Sequence, residues 1–218
     1  MLDNNTVSML LNGTKETLMM VFISTLFSYV IGLPLGIVLY TTNKDGIIEN
    51  TGVYKVLDVI VNVIRSIPFL IALLLVMPLT KLIVGKTFGV EGTIVPLVVA
   101  ASPFIARMVE SSLNEVPKGI IEAAISMGLS NFQIITKVIL VEACSSLVVG
   151  ATIATTTILG YSAMAGAVGG GGLGDIAIQY GYYRKEAAIM YICIFVLIAM
   201  VQILQGVGTL IAKKIDRR

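Results

Sequence analysis

Histidine is absent from the 218-residue sequence, and cysteine occurs only twice, at Cys144 and Cys193. Histidine is the commonest general acid and base and a frequent metal ligand, so its absence argues against His-based catalysis and against a metal site. The two cysteines fall in different regions and make no disulfide framework. We therefore expect neither catalytic residues nor a bound metal in this chain.

Charge is also scarce. Only 13% of the residues are charged, whereas about a quarter are charged in soluble domains, and the mean hydropathy is +0.95. Charged residues cluster, which leaves five long stretches without any. A membrane-spanning helix needs about 20 mostly apolar residues, and three stretches exceed that length. The other two reach it if Arg65 and Arg107 lie near helix ends, where a long side chain extends to the interface.

The sequence therefore predicts an all-α integral membrane protein with one transmembrane domain over residues 1–218. The predicted spans cover roughly residues 18–41, 57–80, 92–113, 147–168 and 188–212. The first 16 residues lack a basic region, and the first apolar run is too long for a signal peptide, so we expect the first span to be retained.

The distribution of Lys and Arg predicts the orientation, because positive residues favour the cytoplasmic side. Ten fall on one side of the predicted spans: Lys44, Lys55, Arg65, Arg107, Lys118, Lys137, Lys213, Lys214, Arg217 and Arg218. Five fall on the other: Lys15, Lys81, Lys86, Arg184 and Lys185. We expect the N-terminus outside and the C-terminus in the cytoplasm.

Three features inside the spans carry structural or functional predictions. Gly32 and Gly36 have the GxxxG spacing that lets helices approach closely, and Pro34 between them can bend the helix. Arg65, followed by Ser66, either extends to the cytoplasmic interface, pairs with an acidic neighbour or lines a polar pathway. The glycine-rich stretch 160–175 indicates close packing or a broken helix beside a pathway.

Nucleotide binding is not indicated. A phosphate-binding loop needs the pattern G-x-x-x-x-G-K-[ST]. The sequence GKT occurs at Gly85 to Thr87, but Thr80 stands where the earlier glycine is required. The glycine run 169–172 has no following lysine. We expect no ATP site and no bound cofactor in this chain.

The longest polar region, residues 117–141, predicts two short helices on the cytoplasmic side. Pro117 favours a helix start, Gly128 favours its end, and the sequence SNFQ from Ser130 to Gln133 matches a capping box for a second helix. The apolar side of the second helix is predicted to hold Phe132, Ile135, Val138 and Ile139. Periodicity alone favours a passive connector on lipid headgroups, and a docking site for another protein is the alternative.

Particular residues in this region resemble the EAA loop of ABC-importer permeases. EAAISMG at 122–128, with Val138 and Leu140 at the matching spacing, fits that motif, although Val141 stands where proline is usual. We expect the second helix to continue toward Glu142 rather than break. The strings VNVIRSIPFLIALLLVMPLTKLIVG, IVPLVVAASPFIARMVESSL and GYSAMAGAVGGGGLGDIAIQYGY resemble the methionine-importer permeases along nearly the whole chain.

The resemblance implies a homodimeric permease of the bacterial inner membrane. Its implied partners are a second copy, two ATPase subunits that hold ATP and Mg²⁺, an extracytoplasmic substrate-binding protein and the lipid bilayer, but no nucleic acid. The residues implied to contact the ATPase are Glu122, Ala123, Ala124, Met127 and Gly128. The candidates for the translocation pathway or gate are Arg65, Ser66, Tyr161, Ser162 and Met164.

Three alternatives remain open from the residues. An ion-coupled secondary transporter would be expected to place ionisable residues deep in its spans, where this chain has almost none, and Glu110 can pair with Arg107 at i,i+3. A membrane enzyme would need catalytic groups that the spans lack. A permease of an ABC importer for another amino acid or an osmolyte also fits.

Overall fold

A computed structural model describes residues 4–216, and in that range the chain forms helices and connecting turns without strands. The α-helices are α1 (Asn4–Thr42), α2 (Thr51–Arg65), α3 (Phe69–Val84), α4 (Gly89–Asn114), α5 (Lys118–Ser126), α6 (Asn131–Gln133), α7 (Leu140–Glu142), α8 (Cys144–Ala165), α9 (Gly172–Ile176) and α10 (Ala187–Ile215). Ile134–Ile139 and Ala177–Tyr183 are π-helical, and Gly166–Val168 forms a 3₁₀ turn. The all-α prediction is confirmed.

Within residues 4–216, four helices are long and apolar enough to cross a membrane: α1, α4, α8 with its 3₁₀ extension, and α10. They contain the predicted spans 18–41, 92–113, 147–168 and 188–212.

The predicted span 57–80 is not one straight helix. That stretch is two helices, α2 and α3, which meet at an angle of 107°. Pro68 explains the break, because proline disfavours helical geometry in the preceding residue, Ile67, and has no backbone N–H to donate. The two helices count as a fifth crossing only if the bent pair is taken as one span.

Helices α1 and α4 pack closely at the glycines of α1. A Cβ atom placed on Gly32 would lie 2.7 Å from the carbonyl oxygen of Ser102, and one on Gly36 would lie 2.6 Å from that of Ala106. Real Cβ atoms do not approach so closely, so only glycine permits this crossing. The packing interpretation of the GxxxG spacing is confirmed. Pro34 lies within the continuous helix α1.

The two ends of the helix bundle are built from different contacts. At one end, here called the α5 end, Ser145 donates a hydrogen bond to the carbonyl of Ala212 at 3.3 Å, and Lys118 lies 3.5 Å from Asp45. At the other, here called the glycine-loop end, the backbone N–H of Gly89 donates to the carbonyl of Gly169 at 2.9 Å.

Four members of each predicted charge group lie toward opposite ends, whereas Arg65 of the first group lies level with the middle of α4. Lys44, Lys118, Lys213 and Lys214 lie near the α5 end, in the loop after α1, at the start of α5 and in the last turn of α10. Lys15, Lys86, Arg184 and Lys185 lie toward the glycine-loop end. Arg217 and Arg218, which also entered the orientation prediction, lie outside the described residues.

Candidate functional site

The turn after α5 has the geometry that the sequence predicts. Helix α5 begins directly after Pro117 and stops before Gly128, which has φ +77°. The N–H of Gly128 donates to the carbonyl of Ile125 at 2.9 Å, and the N–H of Leu129 donates to that of Ala124 at 3.3 Å. These two bonds form a Schellman motif, so the predicted helix end at Gly128 is confirmed.

The predicted capping box is also present. Ser130 Oγ accepts from the N–H of Gln133 at 3.4 Å, and Gln133 Oε1 accepts from the N–H of Ser130 at 3.0 Å. The chain then continues through the π-helical segment into α7, which ends at Glu142. Val141 keeps the backbone N–H that a proline would lack, so the helical path continues toward Glu142 as predicted.

The buried face of this second helical segment follows the prediction in part. Ile139 is fully buried and Val138 packs against the same core, but Phe132 is 74% exposed and Ile134, which the prediction did not include, is fully buried. The π-helical turn explains the shift, since it fits an extra residue into each turn and displaces the 3.6-residue periodicity on which the prediction rests.

The predicted ATPase-contact residues divide into two groups. Glu122, Ala123, Met127 and Gly128 are exposed, whereas Ala124 is only 1% exposed and belongs to a buried cluster with Ile134 and Ile139. Because its side chain faces inward, Ala124 offers a partner no accessible surface. It holds α5 against the π-helical segment instead.

Large apolar side chains surround the turn on the outside. Ile125 is 54% exposed, Met127 72% and Phe132 74%, and all three lie within four residues of Gly128 in the chain. We call the group formed by Glu122, Ala123, Ile125, Met127, Gly128 and Phe132 the turn surface. Exposed apolar residues grouped around a low-profile turn are typical of a protein contact site.

A second candidate site lies at the break between α2 and α3. A cleft of about 170 Å³, here called the break cleft, is lined by Ile64, Arg65, Ile67, Phe69, Ala100, Phe104 and Tyr161. The rings of Phe69 and Tyr161 stack with centroids 4.6 Å apart, and the guanidinium carbon of Arg65 lies 5.9 Å from the centre of the Phe104 ring. The structure thus brings together Arg65 and Tyr161, two of the predicted pathway residues.

Arg65 is the last residue of α2, so it lies at a helix end as expected, but it is level with the middle of α4. Ala100 and Phe104, which line the same cleft, lie on either side of the midpoint of the 26-residue helix α4. Arg65 therefore lies at the same level. The sequence could not show this, because the depth of Arg65 depends on how α2 tilts after the chain breaks at Ile67 and Pro68.

The other three predicted pathway residues do not line the break cleft. Ser66 is exposed beside the cleft and donates to the carbonyl of Asn62 at 2.8 Å. Met164 is exposed and lies one helical turn beyond Tyr161. Ser162 is buried and donates to the carbonyl of Leu159 at 2.8 Å, so its hydroxyl is used within α8.

An ion-pair cluster joins α2 to α4. Arg107 pairs with Glu110 at 2.6 Å, which confirms the predicted i,i+3 pair, and it also pairs with Asp58 and donates to Asn62 Oδ1 at 3.1 Å. Asp58 lies 49 residues from Arg107, so no local spacing could have predicted that contact. No carboxylate in the described range 4–216 forms an ion pair with Arg65.

The glycine-rich stretch packs against α1 and α4. The backbone N–H of Gly172 donates to the Glu16 carboxylate at 2.8 Å, and Thr93 Oγ1 donates to the carbonyl of Gly170 at 3.1 Å. Burial, together with the nearby Glu16 carboxylate, raises the pKa of Asp175 above its ordinary value. The helix is thus broken at these glycines, as the sequence suggested, and the loop is held by side chains from two other helices.

Comparisons with known proteins agree along nearly the whole chain. Residues 32–217 match the family model described as "Binding-protein-dependent transport system inner membrane component". The chain is 47% identical over 210 residues to the probable D-methionine transport system permease protein MetI of Vibrio cholerae, covering 96% of this chain and 93% of that protein. It is 51% identical over 158 residues to the D-methionine transport system permease protein MetI of Escherichia coli K12, covering 72% and 73%.

Solved structures show the same architecture. A structure described as an inward-facing conformation of the MetNI methionine ABC transporter aligns with a TM-score of 0.97 and 46% identity, covering 99% of this chain and all of that one. A more distant structure, described as an amino acid ABC transporter with histidines, aligns with a TM-score of 0.79 at 19% identity and supports the fold alone.

Proposed function

The chain belongs to the family of binding-protein-dependent transport system inner membrane components, and from this membership we propose that it is the permease subunit of an ATP-driven ABC importer for methionine. It is a multi-pass protein of the inner membrane. The observation that carries the methionine assignment is the similarity, at 46–47% identity and nearly full length, to a named D-methionine permease and to a methionine ABC transporter. Within the membrane the N-terminus lies outside and the α5 end lies in the cytoplasm.

The functional assembly contains two copies of this chain, two ATPase subunits and an extracytoplasmic binding protein. ATP and Mg²⁺ belong to the ATPase subunits, since this sequence has no phosphate-binding loop. The turn surface supports this arrangement, because it exposes Met127 and Phe132 around a turn that has no bulky side chain at Ala123 or Gly128. The ATPase subunit covers these apolar side chains, and Glu122 provides a charged contact at the same place.

Movement of the turn surface reaches the helices through buried contacts. Ala124 on α5 belongs to the same buried cluster as Leu113 at the end of α4 and Ile139 before α8. When the ATPase subunits close, α5 moves as a unit and displaces α4 and α8 with it. Phe104 and Tyr161, which line the break cleft, lie on those two helices. ATP binding at the partner can thus switch the pathway between outward-open and inward-open states.

The translocation pathway passes the break cleft. Arg65 and Ser66 lie at the break, Tyr161 lines the cleft, and the exposed Met164 lies one turn further along α8. Ser162 supports the pathway only through packing, since its side chain is buried on another face of α8. The break between α2 and α3 fits this role, because irregular backbone at membrane depth is tolerated where it lines a cavity.

The test is uptake by the complete importer. The chain is co-expressed with its ATPase subunit, reconstituted into proteoliposomes, and supplied with binding protein, internal ATP and labelled methionine. We expect ATP-dependent accumulation that unlabelled methionine suppresses more strongly than other amino acids or osmolytes. Accumulation without ATP would indicate a secondary transporter, and stronger suppression by another compound would move the assignment to that substrate.

A further inference from the structure

Arg65 is an exposed cation at the end of α2, level with the middle of α4, and no carboxylate of the described residues pairs with it. The nearby carboxylates of Asp58 and Glu110 both pair with Arg107. Arg65 instead lies against the ring of Phe104, a contact with an attractive but small electrostatic component. An unpaired charge at membrane depth is costly and typically marks a functional site.

A second feature of the break cleft also favours an anion. Helix α3 begins at Phe69, which lines the cleft, and no described side chain caps its N-terminus; the N–H of Ile71 donates to the carbonyl of Pro68 at 2.9 Å, which leaves the N–H groups of Phe69 and Leu70. The first N–H groups of a helix lack intrahelical acceptors and carry the positive end of the helix dipole. Two independent positive groups, the Arg65 guanidinium and the start of α3, therefore meet at one cleft.

The remaining walls of the cleft are aromatic. Phe69 and Tyr161 form a stacked pair, and Phe104 supplies a third ring. Aromatic rings make favourable contacts with a thioether sulfur and with aliphatic chains. The volume of about 170 Å³ lies below the about 300 Å³ at which pockets for drug-sized ligands begin, so the cleft suits one small molecule.

Resting on the proposed function, we propose that the break cleft binds the transported amino acid during passage, with its α-carboxylate on Arg65 and the first turn of α3. The side chain of the amino acid lies against Phe69, Phe104 and Tyr161. Guanidinium donors form charge-assisted hydrogen bonds with carboxylates, which are about twice as strong as neutral ones. The positive end of α3 adds to this attraction, as half-helix N-termini do at anionic substrate groups in other transporters.

Two other sources of an anion are less suitable. Lipid phosphates lie about 15 Å from the midplane of a hydrocarbon core about 30 Å thick, so they do not reach this depth. A second copy of the chain is a poor source, because residues 17–43, 59–90, 92–106, 143–174 and 187–212 contain no Asp or Glu, and the flanking Asp58 and Glu110 already pair with Arg107. The substrate carboxylate is the remaining partner of suitable chemistry.

The first experiment compares Arg65→Gln, Arg65→Lys and a control, Lys55→Gln, in the reconstituted importer. Lys55 is an exposed cation on the same helix, α2, outside the cleft. We expect Arg65→Gln to lower methionine uptake per assembled complex by about 10- to 100-fold, the range expected for losing a hydrogen bond to a charged group. Arg65→Lys retains more uptake than Arg65→Gln, and Lys55→Gln is unchanged. Normal uptake by Arg65→Gln would overturn the inference, as would a loss explained entirely by a lower yield of assembled complex.

The second experiment measures occupancy directly. In a complex whose permease carries Cys144→Ser, Cys193→Ser and Ser66→Cys, the rate of modification by a methanethiosulfonate reagent is followed with methionine or with methioninol, which has the same side chain but no carboxylate. We expect methionine alone to slow the reaction, and Arg65→Gln to abolish that protection. Equal protection by both compounds, or by neither, would overturn the inference while leaving import intact. A wild-type complex that imports no methionine would instead overturn the proposed function.

Discussion

The aromatic rings of Phe69 and Tyr161 lie parallel, with centroids 4.6 Å apart and an angle of 1° between their planes. Phe69 is the first residue of α3, and Tyr161 lies on α8, so the stack joins the break after α2 to the helix that follows the turn surface. Any movement of α8 relative to α3 changes this stack and the cleft beside it.

Tyr161→Ala removes the stacked ring, whereas Tyr161→Phe keeps it. Aromatic pairs contribute about 0.5–1.5 kcal/mol beyond the area they bury. We expect Tyr161→Ala to reduce methionine uptake severalfold and Tyr161→Phe to leave it near the wild-type rate, measured in proteoliposomes. If Tyr161→Phe is as defective as Tyr161→Ala, the hydroxyl and not the ring stack is the important group.

Gly128→Ala tests the backbone of the turn. No atom lies within 4 Å of the added Cβ, but φ is +77°, where a non-glycine residue costs about 1–2 kcal/mol. We expect less ATPase to co-purify and fewer methionine molecules to be imported per ATP hydrolysed. The control is Gly119→Ala in α5, which also has open space and has ordinary helical geometry. Equal defects in both variants would contradict the role of the left-handed turn.

Met127→Glu and Ala124→Leu separate the outer and inner faces of α5. Met127 is exposed, so a charge there should leave the permease folded while it abolishes ATPase co-purification in mild detergent. Ala124 is buried, so leucine should lower the permease's own thermal stability, since overpacking costs about 1–3 kcal/mol. Thermal unfolding of the isolated permease and co-purification are measured for both. If the Met127→Glu variant co-purifies with as much ATPase as the wild type, the turn surface is not the docking site.

Gly36→Leu should prevent normal assembly of α1 against α4. The new side chain would meet the carbonyl oxygen of Ala106 and the side chain of Val109, neither of which can move without displacing α4. We expect a strong loss of folded protein, measured by the monodisperse fraction in gel filtration. Gly206→Leu in α10 is the matched control, because nothing lies within 4 Å of that position. A monodisperse Gly36→Leu protein at wild-type yield would show that the helix crossing can adjust.

Local patterns in the sequence were sufficient for several features. The spans follow from long stretches without charge, because lipid accepts few ionised groups. The end of α5 at Gly128 and the capping box at Ser130 each depend on residues within about one helical turn, so the local sequence is enough to predict their geometry. The Arg107–Glu110 pair has the same local origin.

Features formed by residues far apart in the chain could not be predicted from the sequence. The sequence suggested Arg65 and Tyr161 separately, but only the packing of α2, α4 and α8 brings them to one cleft. The spacing of Ala124 and Gly128 would place them on one face of a longer helix, but α5 ends before Gly128, so Ala124 is buried against the π-helical segment and Gly128 is exposed in the turn.

The sequence by itself determined that this chain spans a membrane and resembles importer permeases, and it located the turn proposed to meet the ATPase. Those properties reside in composition and in short, contiguous motifs. Tertiary structure decided that Asp58 pairs with Arg107 and that Arg65 and Tyr161 line one cleft. These depend on residues 40 to 100 positions apart, which only the packing of whole helices can bring together.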